Sequence, residues 1–283
     1  MCSRRDAVRA LLDQQRPLIM GVLNVTPDSF SDGGQHTSVS AACVAAERMV
    51  RSGADIIDVG GESTRPGATQ VSTQQELDRT VPVVEALVDA LPCLVSIDTS
   101  KADVMREAVA AGARLINDVR ALTEPDALAT AAAAKVSVCL MHMQGTPATM
   151  QIAPEYNDPV VEVRTFLGER IAACQRAGIP ADQILVDPGF GFGKRLADNL
   201  ALVRELGAIA NLGYPVLIGV SRKSMLGQIT GRSVEHRQTG SAILAAECVR
   251  RGARVVRVHD VEPTVDALKV LAAVQGEVWW EMN

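Results

Sequence analysis

Ser52–Val59 reads SGADIIDV, and the same arrangement returns as AGARLIND at Ala111–Asp118, AGIPADQILVD at Ala177–Asp187 and RGARVVRV at Arg251–Val258. In each copy a glycine precedes a short run dominated by Ile, Leu and Val. Glycine accepts the left-handed backbone that stops a helix, so each copy reads as the end of a helix followed by a strand. Side chains and spacing differ between copies. The unit is therefore a recurring helix-to-strand join, not a solenoid repeat.

Working outward from these joins, the chain contains short apolar runs at Leu18–Val25, Asp55–Gly60, Cys93–Asp98, Arg114–Asp118, Val136–His142, Ile184–Asp187, Val216–Val220 and Arg254–His259. Helix-like stretches separate them at Gln74–Leu91, Lys101–Ala111, Asp126–Ala134, Pro159–Ala177, Asp198–Asn211, Thr239–Arg251 and Pro263–Gln275. In the first of these, Leu77, Val81, Val84, Leu87, Val88 and Leu91 fall near helical spacing. Strands alternating with helices give an α/β fold with a parallel sheet. Eight units favour a closed (β/α)8 TIM barrel over an open doubly wound sheet. The expected layout is a helical extension at 1–16, a single barrel domain at 17–275 and a tail at 276–283. Barrel enzymes carry their chemistry on the loops at the C-terminal ends of the strands. Long polar segments follow four of the strands, at Thr26–Thr37, Glu62–Thr73, Met143–Asn157 and Ser221–Glu235, so the working face lies at that end.

Composition agrees. The chain has 283 residues, 47% hydrophobic but only 3% aromatic, which suits a core of aliphatic strands covered by Ala-rich helices. A net charge of −5 with interleaved signs offers no basic stripe for nucleic acid. No apolar run reaches the ~20 residues of a membrane span, and the N-terminus lacks the apolar core of a signal peptide. The six cysteines are scattered and form no CxxC pair, which reads as buried, reduced thiols of a cytoplasmic protein rather than a zinc site.

A polar residue stands where each apolar run stops. The first ends in Asn24, with Thr26 after it. The second has Asp58, and then Glu62, Ser63, Thr64 and Arg65. Asp98 closes the third, Asn117 and Asp118 the fourth, His142 the fifth and Asp187 the sixth. Arg222 and Lys223 follow the seventh, and the eighth carries Arg257 and His259. Asp98, Asn117 and Asp187 form a carboxylate–amide–carboxylate set. It suits a flat heterocycle bearing several N–H donors and a ring carbonyl, to which Lys223 can donate. One such carboxylate alone is as well explained by a buried ion pair beneath the rim; that reading weakens for the three residues together at matching strand ends. Arg65, Arg257 and His259 form a cationic set suited to phosphate oxygens, against the plainer reading of ion pairs at the rim. Gly189–Lys194, GFGFGK, lacks the spacing of a phosphate-binding loop and reads as a glycine-rich turn.

These residues sit in motifs that closely resemble the dihydropteroate synthase family. The motifs are GVLNVTPDSFSDGG (Gly21–Gly34), DVGGESTRPGA (Asp58–Ala68), SIDTSK (Ser96–Lys101), INDV (Ile116–Val119), CLMHMQGTPATMQ (Cys139–Gln151), DPGFGFGK (Asp187–Lys194), GVSRKS (Gly219–Ser224) and RVHDV (Arg257–Val261). The resemblance runs from about Pro17 to Val274. It implies a transferase of folate biosynthesis that condenses 6-hydroxymethyl-7,8-dihydropterin diphosphate with p-aminobenzoate, giving 7,8-dihydropteroate and pyrophosphate. It implies a pterin pocket of Asp98, Asn117, Asp187 and Lys223, walled by Val22, Val119, Met141, Phe192 and Gly219. It further implies diphosphate contacts from Asn24, Arg257 and His259, with Mg2+ at Asn24. Thr64, Arg65, Pro66, Lys223 and Ser224 would then bind the amine, under lid loops carrying Thr26, Pro27, Asp28, Ser29 and Phe30 and spanning Ser63–Gly67. Asp98, Asp187, Lys223 and Arg257 are the catalytic candidates. The resemblance also implies a homodimer and a sulfonamide target.

Two other readings compete. A folate-dependent methyltransferase barrel shares the strand-end Asp and Asn but has no use for the STRPG, SRKS and RVH segments together. A non-catalytic pterin-binding homologue is expected to lose Arg65, Lys223, Arg257 or His259, and all four are present.

Overall fold

In a computed structural model of the chain, the strands are β1 (Leu18–Asn24), β2 (Ile56–Gly60), β3 (Leu94–Asp98), β4 (Leu115–Asp118), β5 (Ser137–Met141), β6 (Ile184–Asp187), β7 (Val216–Ile218) and β8 (Ala253–Val258). They pair in parallel and in sequence order, and β8 returns to β1 to close a barrel. The structure describes residues 7–14, 16–26, 35–63, 71–146, 149–150 and 152–279, without the side chains of 35–38.

The helices are α1 (Ala7–Leu12), α2 (Gln35–Arg51), α3 (Thr73–Ala90), α4 (Ala102–Ala111), α5 (Ala127–Ala134), α6 (Pro159–Arg176), α7 (Leu196–Arg204), α8 (Leu206–Ala210), α9 (Ser224–Thr230), α10 (Gln238–Arg250) and α11 (Val261–Gln275). Local chemistry sets several of their ends. Ser72 and Gln75 form a reciprocal capping box on α3, and the Asp158 carboxylate accepts from Val160 and Val161 at the start of α6, satisfying backbone donors that a helix leaves open. All four glycines of the recurring join have positive φ: Gly53 at 103°, Gly112 at 124°, Gly178 at 91° and Gly252 at 106°. The left-handed stop read from the sequence is what the backbone adopts.

Three readings of the connections change. The stretch expected as one helix at 198–211 is interrupted at Glu205 and becomes α7 and α8. The polar segment 221–235 contains α9, which its two buried residues, Met225 and Leu226, hold against the barrel. Helix α2 begins at Gln35, inside the stretch expected as loop.

The core has two parts. Residues facing the helices, such as Ile57, Val59, Ile97, Ile116, Val186 and Val256, join the buried helix faces in one large cluster. Leu18, Met20, Ile56, Leu94, Leu115, Cys139, Leu185, Leu217 and Val255 fill the barrel interior. Helix α1 closes that interior from the N-terminal end of the strands: Val8 is buried among these residues, with Ala7, Leu11 and Leu12 packed alongside. Arg16 fastens this segment through an ion pair to Asp55 (2.5 Å), and Arg254 donates to the Leu12 carbonyl.

Candidate active site

Side chains alternate faces along a strand, so stepping two residues up from the interior cluster locates the next inward layer. From Met20, Ile56, Leu94, Leu115, Cys139, Leu185, Leu217 and Val255 the steps reach Val22, Asp58, Ser96, Asn117, Met141, Asp187, Gly219 and Arg257. Two further residues on, β1, β2, β3 and the end of β8 present Asn24, Gly60, Asp98 and His259. An apolar floor thus gives way to a polar mouth within one pleat.

The acceptor set is assembled there. Asp98, Asn117 and Asp187 are all buried, and Asp98 and Asn117 are register partners on β3 and β4. Val119, Met141, Met150 and Phe192 form a separate apolar cluster at this mouth. Lys223, the residue before α9, holds its Nζ 4.1 Å from the centre of the Phe192 ring, a cation over an aromatic face. A Cβ built on Gly219 would meet nothing within 4 Å, so that strand end leaves room for a flat ring. Beyond Asp98, a cavity of ≈ 480 Å³ runs outward past Val119, Lys101 and Arg120.

Burial dominates the electrostatics. It pushes the Asp187 carboxyl up to about 6 against the Gly189 N–H it accepts (2.7 Å) and the nearby Lys223. Burial raises Asp98 as well, opposed by Arg257 and reinforced by Asp58.

The two described members of the expected cationic set, Arg257 and His259, are not open positive charges. Arg257 donates from Nε to Asp58 (2.6 Å) and from Nη2 to Asp98 (2.7 Å), so two carboxylates already balance it. Burial, and then Arg257, lower His259 to about 3; its imidazole is neutral at pH 7. Ser221 Oγ lies 3.1 Å from His259 Nδ1 and accepts from the His259 backbone N–H. Ser221 Oγ can donate to Nδ1, leaving Nε2–H as a donor, or accept from Nδ1–H with its second lone pair, leaving Nε2 as an acceptor. Arg222 is turned out of the mouth to an ion pair with Asp260 (2.5 Å). Ser224 opens α9 beside Lys223, and Thr26 lies just past β1. Pro27, Asp28, Ser29, Phe30, Thr64, Arg65 and Pro66 lie outside the described residues.

Two parts of the mouth carried little signal in the sequence. Lys194, at the end of the glycine-rich turn, is buried. Its Nζ reaches the carbonyls of Gly189 (2.9 Å), Phe192 (3.0 Å) and His142 (3.3 Å), and His142 Nδ1 (2.9 Å). A lysine that gathers three carbonyls in this way fixes the turn that delivers Phe192. Lys101 bridges Glu62 and the buried Glu76, each at 2.5 Å, and Glu62 also accepts from Val71 N, joining the two described flanks of residues 64–70.

No group of three or more His, Cys, Asp or Glu suited to a metal occurs among the described residues. Asn24 Oδ1 and Asp98 Oδ2 do share one small space, 3.6 and 3.7 Å from where a Cβ on Gly60 would stand. One neutral oxygen from the chain fits Mg2+, which keeps waters and takes most of its remaining ligands from a substrate's phosphates.

The sequence profile described as Pterin binding enzyme matches residues 20–259. The dihydropteroate synthase of Escherichia coli (strain K12) is 50% identical over 262 residues, covering 93% of each chain. Among solved structures, a Yersinia pestis dihydropteroate synthase in a sulfonamide drug complex is 49% identical, with a TM-score of 0.88 over 94% of this chain and 96% of that one. A Xanthomonas albilineans dihydropteroate synthase in complex with 7,8-dihydropteroate is 49% identical, with a TM-score of 0.85 over 93% and 95%.

Proposed function

Because the chain belongs to the dihydropteroate synthases of the pterin-binding enzyme family, we propose that its barrel mouth joins 6-hydroxymethyl-7,8-dihydropterin diphosphate to p-aminobenzoate, releasing pyrophosphate and 7,8-dihydropteroate. The observation that carries this reading is the buried acceptor set of Asp98, Asn117 and Asp187, above an apolar floor and beside Lys223. The amino and ring N–H groups of a pterin face acceptors. Lys223 faces its ring carbonyl or nitrogen, and Met141, Val119 and Phe192 sandwich the ring.

The substitution is SN1-like. The bond from the methylene carbon to the diphosphate oxygen breaks first, and its electron pair leaves with the diphosphate. The methylene is left cationic, and the electron-rich ring delocalises that charge toward the Asp98 and Asp187 carboxylates. The arylamine lone pair then forms the C–N bond, and the arylammonium so formed is acidic enough to lose its proton to water without a strong general base. Arg257 and His259 would meet the departing oxygens, and Asn24 would hold Mg2+. When bound, the ion supplies positive charge that makes the diphosphate a better leaving group. Thr64, Arg65, Pro66 and Ser224 serve the amine, and the segment carrying Thr26–Phe30 acts as a lid that keeps water from the cation.

Sulfonamides compete at the amine site, as the drug complex of the Yersinia pestis enzyme supports. The exposed Ile243, Val270 and Val274 on α10 and α11, helices that pack side by side, support a homodimer. Five free cysteines among the described residues support a reducing, cytoplasmic setting.

The test is conversion of the two substrates to dihydropteroate and pyrophosphate in the presence of Mg2+, with positional isotope exchange in the diphosphate measured with and without amine. Scrambling without amine is expected. Cleavage that always requires bound amine would exclude the dissociative path, and pterin binding without turnover would favour a non-catalytic binding protein.

A further inference from the structure

Asp58 lies in the same inward layer as Asn117 and Asp187 but faces away from solvent entirely, with 0% exposure. Its Oδ2 accepts from Asn117 Nδ2 at 3.0 Å and from Arg257 Nε at 2.6 Å. Its other oxygen, Oδ1, and the hydroxyl of its register partner Ser96 are buried with no hydrogen-bond partner among the described residues. Asp58 therefore touches two of the residues assigned to the substrate while itself shut off from solvent.

A side-chain amide is ambiguous: one end donates and the other accepts. A carboxylate that is paired with a guanidinium only accepts. Asp58 thus settles which way Asn117 is turned, since the NH2 end must face it. The amide oxygen and the second amide hydrogen are left for the ligand, each at a fixed place, so the acceptors of the mouth stand at Asp98, the Asn117 oxygen and Asp187. We propose that Asp58 is a positioning residue that sets the donor–acceptor specificity of the heterocycle pocket by locking the Asn117 amide with its oxygen toward the ligand. The proposal rests on the pterin reading of the mouth and adds to it the reason why an amino-bearing ring is preferred to its oxo counterpart. An amide free to flip can serve either; a locked one cannot.

The experiment compares binding of pterin with that of its 2-oxo analogue, pteridine-2,4-dione, by calorimetry. Neither carries a diphosphate, so changes in the Arg257 anion contacts do not enter. Wild-type protein is expected to favour pterin by about 100-fold or more, because a mispaired buried polar group is heavily penalised. Asp58→Asn offers both a donor and an acceptor to the Asn117 amide, and the preference is expected to shrink by about tenfold or more. An equal loss of affinity for both rings, with the ratio unchanged, would reduce Asp58 to a structural role and overturn the proposal. A second measurement uses wild-type protein alone. The Asn117 side-chain hydrogen held by Asp58 should be protected from solvent exchange before pterin is added and should keep its shift when it binds. If both hydrogens of that NH2 are unprotected, or both move strongly on binding, the amide is not locked on Asp58 and the proposal is wrong. If the wild-type protein binds no pterin and gives no turnover, the pterin reading itself fails, and this inference falls with it.

Discussion

Single residues at this mouth carry charge states that burial has moved. Asp187 sits at about 6, so the acceptor on which a pterin depends is half-protonated near that pH. Burial lifts Asp98, the other carboxylate acceptor, to about 7, so pterin affinity measured by calorimetry should weaken from pH 8 downward as pH falls through 7 and then 6. Lys194 is displaced the other way: burial lowers it to about 7 from 10.5. Between those values the unfolded chain holds a proton that the folded chain has released, so this group makes stability rise as pH rises from 7 to 10.5. Lys194→Met removes that slope. It also leaves three carbonyls without their shared donor, which should cost about 2–3 kcal/mol in urea unfolding at pH 7 and raise KM for the pterin substrate. The sequence exposed Asp98, Asn117 and Asp187 because each stands where an apolar run stops. Asp58 stood in the same row but sits one pleat deeper than Asp98, and a run of letters carries no depth. Lys194 was harder still, because its main partners are backbone carbonyls, which every residue possesses.

At the level of elements, the strands and most helices follow from alternation and period, and the four positive-φ glycines from their place before each strand. The helix missed inside a polar segment is short: α9 has seven residues, too few for a periodic pattern to stand out from its neighbourhood. Tertiary contact makes it a helix, with Met225 and Leu226 as its anchors. The six-residue α1, inside the helical extension expected at 1–16, is anchored by Val8. Val8 is 2% exposed, at the opposite end of the barrel from the mouth. Val8→Ala should lower stability by about 1–2 kcal/mol, read as a fall in Tm, while kcat/KM stays at the wild-type value. A loss of activity without a loss of stability would mean that the floor communicates with the site.

Across the whole molecule, the closed barrel and its sequence-ordered pairing were legible from eight alternating units, but the evenness of that pairing was not. β1 and β2 share five register partners, whereas β6 and β7 share one, Val186 with Val216, and β7 slips its register against β8 between Val216 and Leu217. The short β7, three residues long, leaves little ladder to form. This lightly stitched seam lies directly below the turn that carries Phe192 and the segment that carries Lys223, so the cation over the ring reaches across it. In deuterium exchange, amides beside this seam, Val186 and Leu217 among them, should label before those of β1 and β2, because fewer neighbouring bonds must break to expose them. A bound pterin that touches both sides should slow the labelling there more than anywhere else in the sheet. The enzyme would then be a hoop with one soft joint, and its own substrate would be the clasp.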